Sequence, residues 1–151
     1  MTARLPLAGP EFPPLSGKKP KQLVLLLHGL GADGNDLIGL APEFATALPD
    51  AHFISPNAPE HCDMAPFGYQ WFSLREWTPE SMFSGAERAA PVLNDFIDAA
   101  LEYTQLTDKD LALVGFSQGT MMSLHVGLRR LHSCAGILGY SGALLLPPPD
   151  N

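Results

Sequence analysis

Leu111-Ala112-Leu113-Val114-Gly115-Phe116-Ser117-Gln118-Gly119 is the stretch on which the reading of this chain turns. Its apolar first half is the pattern of a short strand buried on both faces, and its second half is a Gly-x-Ser-x-Gly signature. In that signature a strand turns sharply into a helix, and the bend presents a serine. Gly115 and Gly119 then have a steric task, because side chains there would collide where the chain reverses. A serine hydroxyl is a weak nucleophile at neutral pH and needs a histidine base oriented by a carboxylate. An oxyanion formed by its attack on a carbonyl would need donors already in place, and the N–H of Gln118, at the start of the next helix, can supply one.

Working towards the N-terminus, Leu23 to Leu27 is a second continuous apolar run, ending at His28-Gly29. The glycine-rich loop Gly29 to Gly34 follows, and its Leu30 N–H is the best second donor, because His28-Gly29-Leu30-Gly31 lets backbone approach a substrate closely. From Asn35 or Asp36 as N-cap, Leu37, Leu40, Ala41, Phe44 and Leu48 recur at helical spacing. His52 to Ser55 reads as a strand, and the Pro-rich, aromatic segment from Pro56 to Thr78 as an irregular excursion. Between Ser84 and Leu106 one apolar stripe predicts a helix, with Pro91 near its start or at a kink. Gln118 to Leu131 follows as a helix and Ala135 to Gly139 as a strand. Strands alternating with helices predict an α/β fold: an open, mostly parallel sheet with helices on both faces.

Residues 1–20 carry Pro6, Pro10, Pro13, Pro14 and Pro20 and are expected to form a proline-rich surface leader, unable to sustain a helix or a central strand. Residues 21–151 are expected to form the domain proper. With 151 residues, 46% of them hydrophobic, the chain can bury one core. A net charge of -7 with nine Lys and Arg argues against nucleic-acid binding. There is no secretory apolar core near the N-terminus and no run approaching the roughly 20 apolar residues of a membrane span, so a cytoplasmic protein without stable membrane insertion is expected. Cys62 and Cys134 lack ligand spacing and read as reduced structural thiols; no metal is indicated.

One rival pattern is present. Gly29-Leu30-Gly31-Ala32-Asp33-Gly34 matches the dinucleotide fingerprint G-x-G-x-x-G, yet the acidic residue at the right spacing, Asp50, precedes its strand and would sit at the wrong end of the sheet.

Taken together, Leu27-His28-Gly29-Leu30-Gly31, Pro56-Asn57-Ala58-Pro59, Trp71-Phe72 and Gly115-Phe116-Ser117-Gln118-Gly119 resemble, in order and approximate spacing, the phospholipase/carboxylesterase family of the α/β-hydrolase superfamily. That family includes the acyl-protein thioesterases and small bacterial carboxylesterases. The resemblance implies hydrolysis of a small-molecule ester or an acylated substrate, as ester or thioester, through an acyl-serine intermediate and with no cofactor. It maps Ser117 to the nucleophile and Leu30 and Gln118 to the oxyanion-hole N–H groups. Trp71 falls near the acyl or alcohol pocket, with a core aromatic as the competing reading.

The resemblance also implies a triad aspartate and histidine on later strand-end loops, which this sequence does not contain. After Ser117 the acids are limited to Asp150, with no histidine beyond it. His125 would lie roughly 12 Å along the helix from Ser117, too far for proton transfer, and His132 farther still. His28, on the same rim, is the least implausible substitute base, with His61 and Asp63 a more remote pair. The chain is therefore expected to be a C-terminally truncated hydrolase with little or no activity of its own. A non-catalytic binding or interaction module is the alternative, and a dinucleotide-binding domain a minor one.

Overall fold

The computed structural model describes residues 4–149; Met1 to Ala3 of the leader, and Asp150 and Asn151, lie outside the described residues. Strand β1 (Glu11–Phe12) is followed by β2 (Gln22–Leu27), helices α1 (Gly34–Leu37) and α2 (Ala41–Ala47), and β3 (Ala51–Ile54). A small hairpin, β4 (Glu60–His61) and β5 (Tyr69–Gln70), precedes the long helix α3 (Pro79–Thr104), then β6 (Leu111–Phe116), α4 (Gln118–Gly127) and β7 (Gly136–Tyr140). The main sheet has the order β1-β3-β2-β6-β7, parallel throughout except for β1. This is the α/β architecture expected from the strand and helix alternation.

The leucine run of β2 explains the layering. Leu23, Leu25 and Leu27 point to one face and pack with Leu93, Phe96 and Ile97 of α3 and Met122 and Val126 of α4. Val24 and Leu26 point to the other face, with Ala41 and Ala45 of α2, Phe53 and Val114. A strand's period of two divides five consecutive apolar residues between two cores, and so requires helices on both sides of the sheet.

Several elements depart from their expected limits. Asp33, not Asn35 or Asp36, caps α1, its carboxylate accepting the Asn35 N–H at 2.8 Å. The expected single helix through Leu48 is divided by a 3-10 turn at Ile38–Leu40. Pro42 has no N–H for the Ile38 carbonyl, which instead accepts the Ala41 N–H, so the helix restarts with Pro42 in the first turn of α2. Leu40 and Leu48 consequently remain exposed.

Helix α3 begins earlier than expected, at Pro79, because the Thr78 hydroxyl accepts the Ser81 N–H at 3.1 Å. It continues past Pro91, which lies on the exposed side, where water can satisfy the Glu87 carbonyl that the proline leaves unpaired. It ends at Gln105 in the left-handed region, φ 59°. Helix α4 stops at Gly127, before Leu131, and Arg130 then turns back to Asp108 at 2.6 Å and Asp98 at 2.8 Å.

The N-terminal segment is built into the sheet edge. Glu11 and Phe12 pair with Ile54 and Phe53, the Ser55 N–H donates to the Pro10 carbonyl at 3.0 Å, and the Asn57 N–H to the Ala8 carbonyl at 2.7 Å. The prolines limit it to a two-residue edge strand. Among the described residues no helix is long and apolar enough to cross a membrane.

Candidate active site

Three chain segments meet at the carboxyl ends of β2 and β6. Their ladder ends at the Leu27–Gly115 pair, after which the two chains diverge into a loop and a helix. Ser117 is the pivot, at φ 56° and ψ -114°, a combination favoured by glycine, with Tyr140 accepting its N–H at 2.8 Å. The turn is possible because its flanks lack side chains. A β-carbon on Gly115 would lie 2.6 Å from the Gly119 carbonyl, and one on Gly119 would fall on the Leu27 carbonyl oxygen.

The loop after β2 comes up against this turn: a β-carbon on Gly29 would be 3.3 Å from that of Ser117. The loop is fixed along its length. Gly31, at φ 82°, donates its N–H to the Tyr69 carbonyl at 2.8 Å, and Tyr69 returns one to Ala32 at 2.8 Å. Asn57 accepts the Gly34 N–H at 2.7 Å. The β4–β5 hairpin, expected as an irregular excursion, is thus the outer wall that holds the Leu30 loop. Among the described residues, neither the Leu30 N–H nor the Gln118 N–H has an acceptor. Leu30 and Ser117 are half-buried and Gln118 is buried, at the rim where the loop after β2 meets the turn.

His28 lies on that rim, but its ring is fully committed. It is 0% exposed, its Nε2 accepts the Ala58 N–H at 2.9 Å, and Nδ1 is 2.6 Å from the Gly29 carbonyl. An accepting Nε2 carries no proton, so the proton sits on Nδ1 and neither nitrogen is free to act as a base. Burial holds its pKa below the ordinary 6.5, opposed by the Gly29 carbonyl and by Asp33 and Asp36.

The unfolded chain takes up a proton near pH 6.5 that the folded His28 resists, so its contribution is complete above 6.5 and is lost as pH falls through the lower folded value. His125 has the same sign, being lowered mainly by burial and partly by Arg129, against Glu87. Urea midpoints measured from pH 8 down to 5 should therefore fall with acidification. His28→Gln should flatten the decline only in part, and a pH dependence unchanged in that variant would contradict the assignment.

Two other histidines, and the acid expected beside one of them, have partners of their own. His125 is buried and bonds Glu87 at 2.7 Å, His61 stacks on Tyr69, and Asp63 is engaged by Ser73 and Arg75. Among the described residues the Ser117 hydroxyl has no hydrogen-bonded histidine or carboxylate. Asp50, the acid of the dinucleotide pattern, precedes β3 and binds Ser16 at 2.6 Å.

Trp71 is 1% exposed, and its indole N–H donates to the His28 carbonyl at 3.0 Å. One side of it lines a cavity of about 270 Å³ with Pro59, Phe72, Arg88 and Ala89. The carboxamide of Gln118, unforeseen from sequence, reaches Trp71 and Phe72. Such a contact spans 47 positions and leaves no local signal.

A serine held on a glycine-flanked bend at the carboxyl edge of a parallel sheet, facing a glycine-rich loop from a neighbouring strand, defines the α/β-hydrolase class. Within it the chain belongs to the phospholipase/carboxylesterase family, which it matches over residues 15–149. It is 35% identical over 129 residues to acyl-protein thioesterase 1 of Schizosaccharomyces pombe, covering 82% of this chain and 56% of that protein. It is 30% identical over 107 residues to esterase YpfH of Escherichia coli, covering 71% and 46%. The crystal structure of esterase PE8 superposes with a TM-score of 0.87 at 44% identity, covering 92% of this chain and 65% of that one. A carboxylesterase from Mesorhizobium loti, at 20% identity and a TM-score of 0.70, shares the fold. The chain thus spans little more than half the length of the S. pombe relative.

Proposed function

We propose that the protein at its natural length is a serine hydrolase of carboxylic esters or thioesters. Ser117 Oγ attacks the acyl carbon, its proton passes to a base, and the alcohol or thiol departs with a proton as an acyl-Ser117 ester forms; water then releases the acid. The N–H groups of Leu30 and Gln118 hold the oxyanion. The observation that carries this reading is the backbone of Ser117, held at φ 56° against Gly29 in a chain of this family. Strain of that kind persists where the surroundings impose it, and it clusters at reactive groups.

The names of the esterase and thioesterase relatives support an acyl substrate. With both His28 nitrogens occupied, the base and its carboxylate are proposed to come from outside residues 4–149, and residues 1–151 are proposed to be part of a larger hydrolase domain. The alternative, a binding module without turnover, is favoured by the Ser117 hydroxyl, which among the described residues has no histidine or carboxylate partner, and the same experiment separates the two. After exposure to p-nitrophenyl butyrate or a fluorophosphonate, mass spectrometry should find the adduct on the Ser117 peptide of the natural-length protein. The 151-residue chain should react about a thousandfold more slowly or worse. Ester binding with no adduct at natural length would establish the binding module instead.

A further inference from the structure

Resting on the reading of Ser117 as nucleophile, we propose that the Gln118 side chain is a positioning residue that sets the spacing between the Leu30 and Gln118 N–H groups. The sheet cannot do this alone. Its ladder ends at Leu27 and Gly115, and the two donors lie beyond it on diverging segments. What reconnects them is a short buried path. The Gln118 carboxamide, 0% exposed, accepts the Trp71 N–H on Oε1 at 2.8 Å and donates from Nε2 to the Phe72 carbonyl at 2.7 Å. One planar amide thereby satisfies a donor and an acceptor of the bend at Trp71 and Phe72. The Trp71 indole N–H then holds the His28 carbonyl, two residues before Leu30, and His28 is itself fixed through Ala58.

The partners dictate the orientation of the amide: Trp71 presents a donor and Phe72 an acceptor, so only a group with both functions fits. A glutamate of the same shape would set a carboxylate oxygen against the Phe72 carbonyl. The backbone of Gln118 serves the rim while its side chain anchors the wall opposite, and displacement of the wall moves Leu30 relative to Ser117. Oxyanion donors act only at hydrogen-bond distance from the developing charge, so a small displacement acts on turnover and leaves substrate binding in place.

In the natural-length protein, Gln118→Met should lower kcat for p-nitrophenyl butyrate about 10- to 100-fold with KM within about twofold. Affinity for an alkyl boronic acid, whose tetrahedral adduct mimics the oxyanion, should fall by the same factor. Gln118→Glu should lose as much despite its shape, and Trp71→Phe, lacking the indole N–H, somewhat less. Should Gln118→Met not fold, Gln118→Glu and Trp71→Phe carry the same comparison. A further readout uses the 151-residue chain: the Trp71 indole N–H should exchange with solvent about tenfold faster in Gln118→Met, as its anchor loosens. Wild-type kcat and boronate affinity in both Gln118 variants would overturn the proposal. Turnover surviving in Ser117→Ala would instead overturn the nucleophile assignment, and the indole exchange rate would still test the anchoring.

Discussion

Gly119→Ala is expected to destabilise the chain by about 3 kcal/mol or more, although alanine in place of glycine inside a helix ordinarily adds roughly 0.5–1 kcal/mol. The reversal of sign comes from the closeness of α4 to β2. The added carbon would fall on the Leu27 carbonyl and lie 2.8 Å from the His28 oxygen. Neither can retreat, because Leu27 is paired to Gly115 in the central ladder and His28 is bonded through its ring and its carbonyl. Helix α4 must therefore lift from the sheet, which separates Met122 and Val126 from the leucines of β2. Denaturant titration of the wild type and variant measures the difference directly. A Gly119→Ala variant as stable as the parent would mean that the helix does not pack this closely. Gly39 is the contrasting control, since a β-carbon there meets open space and the substitution should be close to neutral or slightly stabilising.

The legibility of this fold in its sequence follows the same division between local and distant causes. β2 and β6 are readable because burial on both faces demands an unbroken apolar run, and the elbow because two glycines around a serine meet a steric need within five residues. The limits of α1 and α2 are not readable. Asp33, Asn35 and Asp36 can all cap a helix, and the outcome is decided by which one reaches extended backbone geometry, φ -150° at Asp33. The strand β1 exists only because β3 offers it an edge, and the β4–β5 hairpin because its Tyr69 completes the loop at Gly31 and Ala32. In the candidate site, Ser117, Leu30 and Gln118 are legible as backbone positions. The commitment of His28 Nε2 and the side-chain contacts of Gln118 are not, because each depends on partners 30 or more residues away.

Ser117→Gly should abolish the turnover proposed above and, in the same variant, make the fold more stable. At φ 56° and ψ -114° a residue with a β-carbon is strained by about 1–3 kcal/mol, whereas glycine adopts this region freely. Part of the relief is offset, because glycine gains roughly 0.5–1 kcal/mol of freedom in the unfolded chain, so a net gain of about 1 kcal/mol is expected. Ser117→Ala keeps the β-carbon and the strain, so it should lose turnover without the gain. The informative quantity is the pattern across the three residues: serine and alanine alike in denaturation midpoint with glycine above them, and serine alone in activity. That pattern would mean the bend is held for the hydroxyl and not for the fold. Equal gains from alanine and glycine would point to a cause in the hydroxyl itself, and a loss of stability with glycine would remove the strain argument. The Tyr140 carbonyl that accepts the Ser117 N–H is unaffected by either substitution, so the comparison isolates the backbone conformation.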